Sequence, residues 1–231
     1  MDLQLVSTPG ITKPAYVKLR KMNPFFMLFI FWNIGMIFIF FNASKELAFI
    51  SINHFRSFAG DIFFSVFSFL GNGTILIPLA LLFIYQKKYK YLAGLVTSAL
   101  LNTLLVSWLK HAFDHFRPLA CYGENVVQTA SWITLYQKYS FPSGHTAIAF
   151  CIALYMSLAY RKNPYIAMAA FLAACLTGYS RVYLGEHFLE DVWFGSAVGV
   201  CTAYISFIAI EYIFKITSWK RKYNTFETIK I

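Results

Sequence analysis

Residues Pro164 to Val200 read PYIAMAAFLAACLTGYSRVYLGEHFLEDVWFGSAVGV. Two apolar runs, Pro164 to Tyr183 and a second that starts at Val192, meet at a short polar stretch, SRVYLGEHFLED (Ser180 to Asp191). The first run, and the second where it continues to Phe214, have the length of a bilayer-crossing helix, about 17 to 25 residues. The pair reads as two membrane helices that turn back on each other through a polar connection.

Four further apolar runs precede this pair, at roughly Pro24 to Phe41, Ile62 to Tyr85, Tyr91 to Leu109 and His145 to Tyr160. The expected fold is therefore all-α, a polytopic membrane protein with six transmembrane helices. Composition agrees, since 58% of the 231 residues are hydrophobic and 13% charged, too apolar for a soluble domain of this length. GNG (Gly71 to Gly73) and Pro78 interrupt the second run and predict a kinked or broken helix that lets another helix or a substrate come close. Asn23-Pro24 and Asn163-Pro164 each pair a capping side chain with a proline suited to the first helical turn. The first run follows Lys13, Lys18, Arg20 and Lys21 as a secretory signal does, but its length and the poor cleavage sequence FNASK point to a retained anchor. Cys121, Cys151, Cys175 and Cys201 form no CxxC pair and read as small core residues rather than as disulfide or metal ligands.

The formal charge of +10 does not point to nucleic acid, because the basic residues sit in short clusters between apolar runs and not on one folded face. Fourteen of the twenty lie in the N-terminal arm, in QKKYK (Gln86 to Lys90), in YRKNP (Tyr160 to Pro164) and in the tail with Lys215, Lys220, Arg221, Lys222 and Lys230. Basic clusters stay in the cytoplasm, which gives a cytoplasmic arm 1–23, a membrane domain 24–215 and a cytoplasmic basic tail 216–231. The alternate loops hold Lys45, Arg56, Lys110, Arg117, Lys138 and Arg181. Counting crossings from the N-terminus then brings three polar stretches to one membrane face: KHAFDHFRP (Lys110 to Pro118), YSFPSGHTAIAF (Tyr139 to Phe150) and SRVYLGEHFLED. Helix ends beside water suit such groups, because each charge deep in hydrocarbon costs about 2.5 to 3.5 kcal/mol or more.

The residues so gathered are Lys110, Arg117, Ser143, Gly144, His145, Arg181, His187 and Asp191. Three cations can neutralise phosphoryl oxygens, and Ser143 with the Gly144 N–H adds neutral donors at a helix start, where free amides already attract an anion. Two histidines match the two tasks of phosphoryl transfer, a nucleophile and an acid for the leaving oxygen. Asp191 follows His187 by four residues and can hold one ring nitrogen while the other attacks. His145 has no such neighbour and is left for the acid.

Lys110 to Pro118 fits K-x6-RP, Pro142 to His145 is PSGH, and Ser180 to Asp191 fits SR-x5-H-x3-D. In these three motifs the chain resembles the type 2 phosphatidic acid phosphatase family, as a bacterial membrane member of it. The resemblance implies a helical core shared with the vanadium haloperoxidases, with His187 as a nucleophile forming a phosphohistidine, Asp191 orienting its ring and His145 as general acid. It further implies that Lys110, Arg117, Ser143, Gly144 and Arg181 bind the phosphate, with no metal and no cofactor. The haloperoxidases hold vanadate in this cradle, but a six-span chain with a membrane-level site favours a lipid phosphate.

The expected activity is hydrolysis of a terminal phosphoryl group at the outer, periplasmic or extracytoplasmic, face of a bacterial inner membrane. Undecaprenyl pyrophosphate, lipid A, phosphatidylglycerol phosphate and phosphatidic acid are the candidate substrates. A phosphotransferase that passes the group to another acceptor, and a membrane protein without catalysis, are the alternatives. Expected partners are the lipid phosphate and the bilayer, with no nucleic acid; oligomeric state is left open. His111, Asp114 and His115 read as a solvated helix end rather than a metal site, Glu186 and Glu190 as either tuning the nucleophile or facing water, and Cys121 to Tyr139 as a lid with interfacial Trp132, Tyr136 and Tyr139.

Overall fold

In the computed structural model, which describes residues 22–228 and their side chains as far as 217, the chain is helical, with no strand among the described residues. The order is α1 (Pro24–Asn42), α2 (Lys45–Asn53), α3 (Phe58–Phe69), a π-turn (Leu70–Thr74), α4 (Leu76–Tyr85), α5 (Tyr89–Phe113), α6 (Pro118–Tyr122), α7 (Gly144–Ala159), α8 (Pro164–Tyr183) and α9 (Leu189–Thr228). The expected N-terminal arm falls almost wholly on residues 1–21, outside the described residues. The expected tail begins inside α9, and only 229–231 lie beyond the described residues.

Local chemistry sets the helix starts. Asn23 and Asn163 accept from the amides of Phe25 and Tyr165, each at 3.0 Å, with Pro24 and Pro164 in the first turn behind them. The second apolar run breaks as expected, at GNG: Gly73 has φ of +91°, and α3 and α4 are bent by 60° across the π-turn. Pro78 lies just past the break and leaves the Thr74 carbonyl, at the end of the π-turn, without a donor four residues on. It sits in the first turn of α4, where a missing N–H leaves no bond within α4 unmade.

α7 is the axis of the bundle, packed against α5, α8 and α9 with the π-turn along its flank. Ala147, Phe150, Cys151, Ala153, Leu154 and Tyr155 are all buried. Lipid tails are as apolar as these side chains, so burial alone does not hold membrane helices together, and close packing with a few interhelical hydrogen bonds carries more of the load. Both are present. Trp32 of α1 donates to Ser196 of α9 at 3.1 Å, and Trp193 of α9 donates to Asn33 of α1 at 2.9 Å. Gly195 and Gly199 of α9 form a G-x-x-x-G face against α7, where a methyl on Gly195 would stand 2.6 Å from the Ser143 carbonyl oxygen and one on Gly199 2.1 Å from that of Ala147.

Among the described residues four helical segments are long and apolar enough to cross a bilayer: α1, α5 with α6, α8 and α9; α3 with α4 makes a fifth if the bent pair is one span. α7 has 16 residues and falls short of that length. Every one of the six expected apolar runs is nevertheless helical. The basic connections gather at one end, where Tyr160 donates to Gln86 at 2.8 Å, Lys88 stands 4.3 Å over the Tyr160 ring and Ser157 donates to Asn23 at 2.8 Å. The three motifs lie at the other end.

The α7–α9 seam sets a stability expectation. Gly199→Ala drives a methyl into backbone, an overpacking worth about 1–3 kcal/mol, and lowers the melting temperature of the detergent-solubilised protein by about 5 °C. Gly35→Ala on α1 meets nothing within 4 Å and leaves melting unchanged or slightly raised. Equal behaviour of the two variants in a thermal melt would contradict this packing.

Candidate active site

The turn between α8 and α9 places the third motif. Arg181 stands in the last turn of α8, and its carbonyl accepts from the amides of both Glu186 and His187, at 3.0 and 3.1 Å, folding the connection back on itself. Asp191 lies in the first turn of α9 and reaches back to the Phe188 amide at 2.9 Å, so it caps its own helix in the way a capping-box carboxylate does. The same oxygen, Oδ2, stands 3.3 Å from His187 Nδ1 and accepts from the Ser140 hydroxyl at 2.5 Å. With Nδ1–H turned to Asp191, the other ring nitrogen of His187 keeps its lone pair. Burial first, and then the charges of Arg117, Arg181 and Lys110, hold the His187 pKa well below the ordinary imidazole value, so the ring is neutral at pH 7.

The second motif is tied to the third through backbone. Ser143 N-caps α7, accepting from the Thr146 hydroxyl at 2.9 Å and more loosely from its amide at 3.5 Å, and its own N–H donates to the Asp191 carbonyl at 3.0 Å. Gly144 and His145 follow as the first residues of α7. A methyl at Gly144 would lie 3.9 Å from Lys110 Cε, so the lysine stem passes over this helix start. Lys110 Nζ donates to the Tyr139 carbonyl at 3.1 Å, and His145 is in electrostatic reach of Arg181, His187, Lys110 and Arg117.

Arg117 joins the first motif to the third: Nε donates to the Lys138 carbonyl at 2.9 Å and Nη1 to the Glu186 carbonyl at 3.2 Å. The Glu186 carboxylate lies between two guanidinium groups, bonded to Arg181 Nη2 and 3.8 Å from Arg117 Nη1, while Ser68 of α3 accepts from Arg181 Nη1. Arg181 Nε is buried with no hydrogen-bond partner among the described residues. All eight expected residues thus come together.

Two further residues belong to the cluster. Ser140, fully buried, completes the shell of Asp191, and Glu186 fixes both arginines. Glu190 instead pairs with Lys45 at 3.1 Å on the surface. Among the described residues no group of three His, Cys, Asp or Glu side chains could hold a metal ion; His111 bonds the Ser107 carbonyl at 2.8 Å and Asp114 lies 3.7 Å from Lys138. The Cys121 to Tyr139 segment is tied down over this end of the bundle: Asn53 accepts from the Gln128 amide at 2.9 Å, Arg56 donates to the Gln128 carbonyl at 3.0 Å and Trp132 donates to Ser65 at 3.0 Å.

GNG closes the remaining side. A methyl at Gly71 would stand 2.5 Å from Thr177 and 3.1 Å from His145 Cβ, so only glycine lets the π-turn lie against that histidine. Beside it opens a cleft of about 470 Å³ lined by the π-turn, α5 and α7, with Lys110, Gly144 and His145 at its wall.

A buried imidazole oriented by a carboxylate, three cations around it and a second histidine at a helix start are an arrangement that can carry out phosphoryl transfer, here at one end of a membrane bundle. The sequence profile of the PAP2 superfamily matches residues 91–215, and the chain belongs to that superfamily as a membrane phosphatase. It is 28% identical over 179 residues to the lipid A 4'-phosphatase of Porphyromonas gingivalis, covering 74% of each chain. The crystal structure of Aquifex aeolicus LpxE superposes with a TM-score of 0.61 at 38% identity, over 68% of this chain and 91% of that one. A transmembrane PAP2-type phosphatidylglycerolphosphate phosphatase from Bacillus subtilis superposes with a TM-score of 0.56 at 25% identity, over 83% and 98%.

Proposed function

We propose that the chain is a six-span lipid phosphate phosphatase that hydrolyses a terminal phosphoryl group through a phosphohistidine at His187. The observation that carries this reading is the buried His187 ring held through Nδ1 by Asp191 at 3.3 Å, with Lys110, Arg117 and Arg181 in electrostatic reach. The free ring nitrogen attacks phosphorus; the bond from phosphorus to the lipid oxygen breaks, and His145, carrying a proton once the phosphoryl dianion is bound beside it, gives that proton to the leaving oxygen. Water, losing a proton to His145, then attacks phosphorus, the P–N bond breaks and phosphate leaves with His187 restored. Lys110, Arg117, Arg181, Ser143 and the Gly144 amide hold the phosphoryl oxygens. Lipid A and phosphatidylglycerol phosphate, named for two of the similar proteins, are the leading substrate classes, with undecaprenyl pyrophosphate beside them.

Free phosphate release by purified protein from a panel of these lipids tests the reading and separates hydrolysis from transfer to another acceptor. His187→Ala loses at least about a thousand-fold in rate. His145→Ala loses about 10²–10⁴-fold with a lipid alcohol as leaving group and far less with p-nitrophenyl phosphate, whose leaving oxygen needs no acid. Gly71→Ala, pressing on His145, shows the same leaving-group pattern more weakly. Undiminished release by His187→Ala would sink the mechanism.

The outer-face placement in a bacterial inner membrane rests on the basic loops at the end opposite the site. In intact cells, and in a background without Cys121 and Cys201, a membrane-impermeant maleimide is expected to label Lys138→Cys and to miss Lys88→Cys. The reverse pattern would invert the topology.

A further inference from the structure

Glu186 is a charge for which the phosphoryl chemistry has no step. It adjoins the nucleophile in the α8–α9 turn, yet it is only 6% exposed, with its carboxylate bonded to Arg181 Nη2 and 3.8 Å from Arg117 Nη1. Backbone fixes it there from both sides: its N–H donates to the Arg181 carbonyl at 3.0 Å and its carbonyl accepts from Arg117 Nη1 at 3.2 Å. Gly185, with φ of +78°, makes the bend before it, and a methyl there would stand 2.8 Å from Val127 and 2.9 Å from the Gln128 carbonyl. Burying a carboxylate is costly, and water is within reach of this turn. Glu190, four residues on, takes that course, with a side chain 46% exposed and paired with Lys45. Arg181 and Arg117 are buried like Glu186 itself, so the three charges form one enclosed cluster beside His187.

The two guanidinium groups are those that the phosphatase reading assigns to phosphoryl oxygens, so the carboxylate occupies donors that a phosphate would use. We propose that Glu186 is a built-in competing anion, which weakens the hold of the cradle on phosphate dianions and so lets the product leave. Lys110, Arg117 and Arg181 set against the carboxylates of Glu186 and Asp191 leave one positive charge around His187; without Glu186 there would be two. The larger charge would bind substrate and product phosphate more tightly alike. Uniform tightening of that kind does not lower the barrier from bound substrate to transition state, and it slows release of the product. A residue that served only to brace the arginines predicts the opposite sign, because neutralising it would loosen the donors and weaken phosphate binding. This inference rests on the phosphatase reading and adds to it a residue that acts through Arg117 and Arg181.

The test follows inorganic phosphate as an inhibitor of p-nitrophenyl phosphate hydrolysis, and its effect on melting temperature, in the wild type, Glu186→Gln and Glu190→Gln. Glutamine keeps the shape and one acceptor oxygen while removing the charge. Glu186→Gln is expected to lower the Ki for phosphate by about tenfold or more, with KM falling alongside, as for loss of a like charge at this range. Without phosphate this variant melts below the wild type, since two buried arginines have lost their counter-ion, and added phosphate raises its melting temperature by more than that of the wild type. Glu190→Gln, on the surface, stays within about twofold of the wild type in Ki. Should Glu186→Gln not fold, Glu186→Asp, which draws the carboxylate back by one methylene, is expected to lower Ki by about threefold. An unchanged or raised Ki, or a melting response no larger than that of the wild type, would overturn the inference and leave the phosphatase reading standing. A wild type that hydrolyses neither p-nitrophenyl phosphate nor any lipid phosphate would sink the phosphatase reading and this inference with it.

Discussion

One carboxylate oxygen organises this end of the molecule. Asp191 Oδ2 accepts from Ser140, from the Phe188 amide and from His187 Nδ1, while the Asp191 carbonyl accepts from the amide of Ser143. A single residue therefore caps α9, orients the buried imidazole and pins the start of α7 beside it. Removing the carboxylate would leave the Ser140 hydroxyl, the Phe188 amide and His187 Nδ1 without this acceptor, each at a desolvation cost of about 1–3 kcal/mol, while the backbone bond to Ser143 would remain. The site is rigid for the same reason that the α8–α9 turn is.

The rest of the bundle can be read as the support for that junction. Three cations within reach of one another repel, and they persist where Glu186 lies between two of them and where the backbone carbonyls of Tyr139, Lys138 and Glu186 accept from Lys110 Nζ, Arg117 Nε and Arg117 Nη1. Those carbonyls come from the Cys121 to Tyr139 segment and the α8–α9 turn, so the strap over the site contributes backbone acceptors as well as cover. Below, the glycine face of α9 lets α7 approach closely enough for Ser143 to reach Asp191. Packing in the membrane interior thus sets a hydrogen bond at its surface.

Much of this was legible in the sequence, and the parts that were not share a cause. The six apolar runs, both Asn-Pro starts, the break at GNG and the assembly of Lys110, Arg117, Ser143, Gly144, His145, Arg181, His187 and Asp191 at one end follow from hydropathy, charge placement and spacing. Ser140 was missed because a serine within YSFPSGH has no spacing that marks it; only the fold brings it to Asp191, 51 residues away. Glu186 was undecided because its neighbour in sequence, His187, is not its partner in space. Pro78 was read with GNG as interrupting the second run, and it stands in the first turn of α4 directly after the π-turn. The short α7 shows the limit of counting: a hydropathy run gives a helix, while its 16 residues reflect where Ser143 must begin it to serve the site.

The account stands or falls on the covalent step at His187. The decisive measurement is a rapid quench of purified protein with a lipid carrying a radiolabelled terminal phosphoryl group, denatured in alkali and followed by peptide mapping. The account predicts an alkali-stable, acid-labile label on the peptide containing His187 that rises before phosphate is released and then decays. Full-rate release of phosphate with no label at His187, or label on another residue, would contradict it and point to direct attack by water or to a different nucleophile.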